Sequence, residues 1–461
     1  MNQPADRSAL ESAAAHAIAY REAVSTAERT PVADYDSILA AFAAPTPETG
    51  GDPTEIIETL VQLATPGIRA STAPRFFGWV IGNSHPTGVA ADWLTAAWGQ
   101  NGGNLVAAPA ASAVETVATG WLLDLLGLPA EASVGLVTGA TVANFVCLAA
   151  ARSEMLRRVG WDVEADGLFG APPITVLIGA DAHATVYSGL KYLGLGAARV
   201  RLIDTDASGR MLPSAFEAAL VAATGPVIAI AQAGQINTGA CDPFDVIAPL
   251  ARDSGAWLHV DGAFGLWAQA GPNRAYLTKG VELADSWATD GHKLFQTPYD
   301  CGFAIVRDAE AHRRAMAISA SYLPPAEGAA RDPSAFVPEL SRRARGFATW
   351  AMIRQFGRAG IADMVDRHCA IAAHMANRLV QAGAELVCPV ELNQFMVRFG
   401  DDAQTLATVR QVQEDAIAFV GSADWRGRAV MRVSVTSAAT TMRDADITVD
   451  AMVDAWSRVR A

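Results

Sequence analysis

The sequence predicts an α/β fold, a mostly parallel sheet flanked by helices, followed by a smaller α+β domain. Two patterns in its 461 residues carry this reading, and composition sets the scale. From about residue 110 to 306, short apolar runs alternate with longer amphipathic stretches, the arrangement of strands feeding crossover helices. After about residue 345 this alternation gives way to one long helical stretch, then strands and helices in mixed order. With 51% hydrophobic residues the chain can bury a large core in more than one domain.

Taken in order, residues 1–70 read as an alanine-rich helical arm punctuated at "AAPTPETGGDPTE". Such an arm packs on a partner subunit or forms a loosely attached helical pair. Residues 71–345 form the large domain. In it "VGLVTG", "PITVLIGA", "ARVRLID", "PVIAIAQAG", "AWLHVDG", "SWATDG" and "GFAIVRD" read as seven short buried strands. Helices such as "NFVCLAAARSEMLRRVG" and "DPFDVIAPLARDSG" lie between several of them. Residues 346–461 form the small domain, with a long helix, strands "ELVCPV" and "NQFMVRFG", a helix, strand "AVMRVSVT" and a last helix. In sheets of this kind ligands sit at the carboxyl ends of the strands, so the chemistry is expected there.

A formal net charge of −13 and a pI near 5.1 argue against a nucleic-acid or anionic-membrane partner. The first residues lack a basic stretch leading into an apolar one, and no run of about 18 apolar residues occurs, so a soluble cytoplasmic protein is expected. Five scattered cysteines, none in a CxxC pair, read as buried thiols rather than a disulfide frame or a metal site.

Lysine occurs only at Lys191, Lys279 and Lys293, so arginine supplies nearly all the positive charge among 35 Lys and Arg. A lysine that survives such a bias is a candidate for chemistry arginine cannot perform, because a desolvated lysine can act as a nucleophile toward a carbonyl. A coding bias that spared three surface lysines explains the composition equally well. Strand ends add further polar residues. "LVTGATVAN" offers Gly139, Ala140 and Thr141 at a strand-to-helix turn, where backbone N–H groups can hold a phosphate; a plain threonine-capped turn looks the same. His183 in "DAHATV" either stacks on a flat ring or caps the next helix. Asp261 closes the apolar strand "WLHVD", a costly place for a carboxylate without a cation or donor. It is either a structural partner or the counterpart of a protonated ring nitrogen. A reactive lysine with such an aspartate is what pyridoxal phosphate chemistry requires.

In order along the chain, "PRFFGW", "TGATVAN", "DAHATV", "NTGACDPFDVI", "WLHVDGAFG", "ELADSWATDGHKLFQTPYDCG", "ASYL" and "SRRARGFATW" resemble the group II pyridoxal-phosphate-dependent amino-acid decarboxylases. These share the fold-type I architecture of aspartate aminotransferase. The resemblance covers about three fifths of the chain, roughly residues 74–350. It implies that Lys293 is the Schiff-base lysine, Asp261 the pyridinium partner, His183 the ring-stacking histidine and Ala263 the small residue on the other face. Gly139, Ala140, Thr141 and Asn144 match the phosphate-loop positions, and His292 the histidine near the phosphate. Tyr322 matches a mobile-loop tyrosine that returns a proton to the substrate carbon; phenylalanine there marks relatives that oxidatively deaminate to an aldehyde. The resemblance further implies a homodimer with its site at the subunit interface.

The implied activity is decarboxylation of an L-amino acid to its amine. Phe76, Phe77 and Trp79 lie where relatives place aromatic pocket residues, which leans the substrate toward an aromatic amino acid; aromatic core packing is the other reading of these three. An aldehyde synthase, a carbon-carbon lyase or an aminotransferase would use the same lysine and aspartate, the last with Arg432 for a carboxylate. Intact Lys293, Asp261 and His183 disfavour a non-catalytic binding protein. Several positions depart from the family pattern. Gln235 and Ile236 replace hydroxyl residues, Gly82 falls near a substrate-side threonine, and Asp290 stands where several relatives have asparagine.

Overall fold

The computed structural model describes residues 4–26, 31–81, 83–318 and 331–461. Seven strands form the main sheet: β1 (Ser133–Val137), β2 (Thr175–Gly179), β3 (Arg201–Ile203), β4 (Val227–Gln232), β5 (Trp257–Asp261), β6 (Ser286–Asp290) and β7 (Gly302–Val306). Their order is β1-β7-β6-β5-β4-β2-β3. Only β7 runs antiparallel to its neighbours; the pairs from β6 through β3 are parallel. The seven expected strands are all present, and the fold is α/β as read from the alternation. β1, β5, β6 and β7 are buried along their whole length because helices cover both faces, which is why they read as continuous apolar runs.

One core lies on each side of this sheet. Leu136, Val260, Phe264, Trp267 and Phe303 belong to the first, and Val137, Cys147, Ile178 and Ile230 to the second. The helix Ala140–Arg157 lies on the second face and packs across β5, β6 and β7. Its entry is tight: a Cβ placed on Gly302 would come within 2.5 Å of the Gly139 backbone, so glycine at 302 lets β7 pass the turn that follows β1.

The second sheet is antiparallel, in the order β10-β11-β9-β8. It comprises β8 (Glu385–Leu386), β9 (Gln394–Arg398), β10 (Gly421–Trp425) and β11 (Arg428–Ser434). β10 was not expected from the sequence, because "GSADW" is polar and its central residues are solvent-facing. The helices Gly346–Gln381, Asp402–Glu414 and Met442–Arg460 accompany this sheet. The first turns sharply at Gly357, which has φ +57°. Met442–Arg460 begins with a reciprocal cap, Thr441 and Asp444 each satisfying the other's backbone N–H. In the N-terminal segment the helices Pro4–Ala23, Tyr35–Phe42 and Pro53–Ala64 are observed, the last two capped by Asp34 and Asp52. Among the described residues no helix is long and apolar enough to cross a membrane.

Candidate active site

Strand ends converge where the topology requires. β5 ends in Asp261 and the adjacent β6 in Asp290, the β2 end leads to His183, and the β1 end leads to Gly139. These residues line one cavity of about 280 Å³ together with Ala140, Thr141, Ile236, Ala263, His292 and Lys293. The sequence-predicted set is thus brought together, apart from Asn144, the aromatic trio and Tyr322.

At one end of the cavity sits Asp261. Burial drives its carboxyl above the usual carboxylate range, opposed by the charges of His183 and Lys293, the Ala263 N–H at 3.2 Å and the Asn144 amide. Asn144 is corrected here. It lies one turn inside the helix, past the N–H groups that open it, so its side chain serves Asp261 rather than a phosphate. A hydrogen-bond chain fixes its amide. Trp257 Nε1 donates to Ser286 Oγ (2.9 Å), which leaves the serine proton for His259 Nδ1 (3.0 Å). His259 Nε2–H then donates to Asn144 Oδ1 (2.9 Å), and the Asn144 Nδ2 group, buried and otherwise unpartnered, is left for Asp261. Complete burial pushes the His259 pKa down to about 3, so its imidazole is neutral. The sequence held a signal for His259: Trp257, His259 and Asp261 alternate onto one strand face.

His183 caps the next helix, one of the two readings weighed for it, and its ring also lines the cavity. Its Nδ1 accepts the Thr185 N–H at 3.3 Å and lies 2.8 Å from Thr185 Oγ1, capping the helix Ala184–Tyr192, while the ring lines the cavity. Burial lowers its pKa, against the pull of Asp261.

Lys293 and the turn after β1 form the other end. Lys293 Nζ lies 3.0 Å from Asp290 Oδ2, and Asp290 Oδ1 accepts the Ala140 N–H at 2.6 Å. His292 Nδ1 accepts the Cys301 N–H (3.2 Å), so in the neutral ring the proton is on Nε2, 3.5 Å from Asp290 Oδ1. Burial lowers the pKa of His292 as well. Its ring lies 4.3 Å from that of Tyr299.

The departures acquire physical roles. Gln235 builds its own loop: its Oε1 accepts N–H groups from Asn237 (2.6 Å) and Thr238 (3.0 Å), and its Nε2 donates to the Asp181 carbonyl (3.2 Å). Ile236 presents an apolar wall to the cavity. Arg432 donates to the Ile236 carbonyl and Asn237 Oδ1, both at 3.3 Å, and is not among the cavity-lining residues.

The aromatic trio differs from expectation. Phe76 stacks on Phe419 with centroids 4.9 Å apart, and Phe77 packs in the core of the second sheet with Phe395 and Val433. Both are fully buried by core packing and line no part of the cavity. Trp79 is 47% exposed with φ +59°. Tyr322 and Gly82 lie outside the described residues.

The residues fit a phosphorylated pyridine. Asp261, raised by burial and without an ion-pair contact among the described residues, could face a protonated ring nitrogen. The Gly139 turn is a cradle without room for a side chain: an added Cβ would meet His292 Cε1 at 3.0 Å and Asp290 Oδ1 at 3.3 Å. The fold and site are those of an α/β enzyme whose lysine could hold a carbonyl-bearing cofactor and whose carboxylate could polarise its ring.

Residues 38–400 match the model of the pyridoxal-dependent decarboxylase conserved domain, and the chain belongs to that family. Its cofactor is pyridoxal 5′-phosphate, and it is a decarboxylase of that class. The chain is similar to an aromatic-L-amino-acid decarboxylase of Bacillus atrophaeus, 28% identical over 361 residues covering 77% of this chain and 73% of the relative. It is also similar to a phenylacetaldehyde synthase of Arabidopsis thaliana, 26% identical over 351 residues, 73% of this chain and 70% of the relative. The fold superposes on the crystal structure of Oryza sativa TDC with PLP and tryptamine, with a TM-score of 0.92, 23% identity and 99% of each chain covered.

Proposed function

We propose that this chain decarboxylates an aromatic L-amino acid to the corresponding amine. The observation that carries the reading is the convergence of Lys293, Asp261 and His183 on one cavity whose one lysine or arginine among the described residues is Lys293 and whose wall at Ile236 is apolar. Among the described lining residues there is no guanidinium that would clamp an acidic side chain. The relatives named for aromatic substrates point the same way.

When bound, the cofactor supplies the ring that accepts the electron pair left as carbon dioxide departs. Lys293 Nζ is the covalent anchor and the amine that exchanges with the substrate's. Asp261 holds the proton on the ring nitrogen, so that the ring keeps its electron demand. His183, capped in place by Thr185, fixes the tilt of the ring. The cavity walls would orient the substrate so that loss of its carboxylate is selected over loss of the α proton, an orientation effect. Tyr322 returns the proton to the carbon.

A panel of L-amino acids tested for carbon dioxide, amine, ammonia, peroxide and keto acid checks this. Amine and carbon dioxide in equal amounts from tyrosine, tryptophan or phenylalanine are expected; preference for aspartate or glutamate, or keto-acid formation, overturns it. The similarity to a phenylacetaldehyde synthase favours aldehyde formation as the second reading, marked by ammonia and peroxide. In that case Tyr322→Phe would leave the product unchanged, whereas a decarboxylase carrying this change would shift toward aldehyde.

The same reading includes a homodimer. Its support is an apolar cavity of about 1350 Å³ between the N-terminal helices and residues 84–93, lined in part by the exposed Ile18, Leu60 and Trp93. A monomer in sedimentation at micromolar concentration with full activity would contradict it. All five cysteines are buried free thiols, in keeping with a cytoplasmic setting.

A further inference from the structure

A phosphate at the turn after β1 would call on two donors, since Lys293 is taken up by the cofactor's carbonyl carbon: the N–H that opens the helix Ala140–Arg157 and the His292 Nε2–H. Both already face one carboxylate of the chain, as does the Lys293 ammonium. Asp290 Oδ1 takes the Ala140 N–H at 2.6 Å and lies 3.5 Å from His292 Nε2, and Oδ2 takes Lys293 Nζ at 3.0 Å. The side chain is 3% exposed, and its backbone is pinned on both sides. Its N–H donates to the Ala263 carbonyl (2.9 Å) and its carbonyl accepts Trp267 Nε1–H (2.9 Å).

Beyond Lys293, no lysine or arginine among the described cavity-lining residues offsets that charge for an incoming anion. Burial holds His183 and His292 toward their neutral forms. Arg345, on the far side of the loop, is engaged by Asp300 at 3.0 Å. A helix N-terminus contributes the equivalent of about half a positive charge. A phosphate monoester brings about −1.5 to −2. The carboxylate and the phosphate therefore compete for the same donors and repel each other beside a buried Asp290 side chain.

We propose that Asp290 is a built-in competitor of the cofactor's phosphate: it occupies the phosphate cup in the cofactor-free enzyme and weakens cofactor binding, keeping the cofactor exchangeable. The inference rests on the cavity being the pyridoxal phosphate site. It also gives the aspartate-for-asparagine departure a function, because an asparagine keeps the acceptor for Ala140 while replacing the second anionic oxygen by a donor.

The test is a titration of the cofactor-free full-length chain with three probes: pyridoxal 5′-phosphate, pyridoxal without the phosphate, and inorganic phosphate. Asp290→Asn is expected to bind pyridoxal 5′-phosphate and inorganic phosphate about tenfold or more tightly than the unaltered chain, with slower cofactor release. Its affinity for pyridoxal should change less than about twofold, because pyridoxal brings no anion to the cup. Asp290→Ser, which also keeps an acceptor for Ala140 while removing the charge, should change the affinities in the same direction. Unchanged or weaker phosphate binding in both variants overturns the proposal. So does equal tightening for pyridoxal, which would assign the effect to Lys293 alone. If the unaltered chain and both variants bind none of the probes, the assignment of the cavity fails first, and the proposal with it.

Discussion

Asp261 and Asp290 end adjacent parallel strands of the same sheet, are both buried, and face one cavity from its two ends, yet their surroundings differ in kind. Asp261 has neutral donors, the Ala263 N–H and the Asn144 amide, and its charge lacks a cation in contact. Asp290 has a cation at 3.0 Å and a backbone N–H at 2.6 Å. On the proposed reading the first carboxylate receives a positive group that arrives with the cofactor, whereas the second has its positive group built into the chain. One residue type at one position in two neighbouring strands is turned to opposite tasks by what the flanking helix and loops supply.

Lys293→Ala should have the largest effect, because it removes both the covalent anchor and the cation beside Asp290. Turnover is expected to fall on the order of 10⁴-fold or more, the scale of losing the nucleophile of a covalent mechanism, and the visible absorbance of lysine-bound cofactor should vanish. Retention of that band would break the assignment. Asp261→Asn comes next. It empties the ring end of charge and leaves the phosphate end untouched, so kcat should fall about 10²- to 10³-fold while binding of inorganic phosphate stays the same. A matching loss of phosphate affinity would show that the two ends are not independent.

The two ends were unequally legible in the sequence. Lysine scarcity pointed to Lys293, and a carboxylate closing an apolar strand pointed to Asp261, because both features are local and costly. The seven strands were legible for the same reason, as apolar runs bounded by turn residues. Asn144 was misplaced because position along a helix, rather than spacing from a motif, decides which end of the cavity its side chain serves. Phe76 and Phe77 could not be told from pocket residues, since an aromatic side chain buried against Phe419 or Phe395 has the same sequence as one lining a pocket. Asp290 was visible as a departure, but its role depends on a contact with Ala140 that is 150 residues away in the chain.

A smaller effect is expected from the support of Asp261. Asn144→Ala removes the amide donor without altering the charge of the site, and hydrogen bonds to charged groups contribute roughly 1.5–3 kcal/mol. A loss in kcat of about tenfold is expected, with KM little changed. Because the lost donor favoured the ionised carboxylate, the acid side of the pH profile should move to higher pH; an unmoved profile would reduce Asn144 to a packing role.

The smallest effect concerns stability and separates the ring-end relay from the rest of the fold. Burial lowers the pKa values of His259, His312 and His368 to about 3 each, from 6.5. The unfolded chain therefore takes up protons at these residues below pH 6.5 that the folded chain refuses until about pH 3. The stability they contribute is present above pH 6.5 and is lost as the pH falls toward 3, by about 1.4 kcal/mol per histidine per pH unit. His312 binds Ser133, and His368 binds the Ser437 carbonyl, both remote from the site. His259→Gln should therefore reduce the acid slope in urea unfolding between pH 6 and 4 by about 1.4 kcal/mol per pH unit, because the proton that the unfolded chain takes up at this residue is gone. The same variant should share the altered pH profile of Asn144→Ala, since glutamine cannot be relied on to hold the Asn144 amide in its present orientation. A reduced slope with an unaltered profile would confine His259 to the core and leave Asn144 to orient itself.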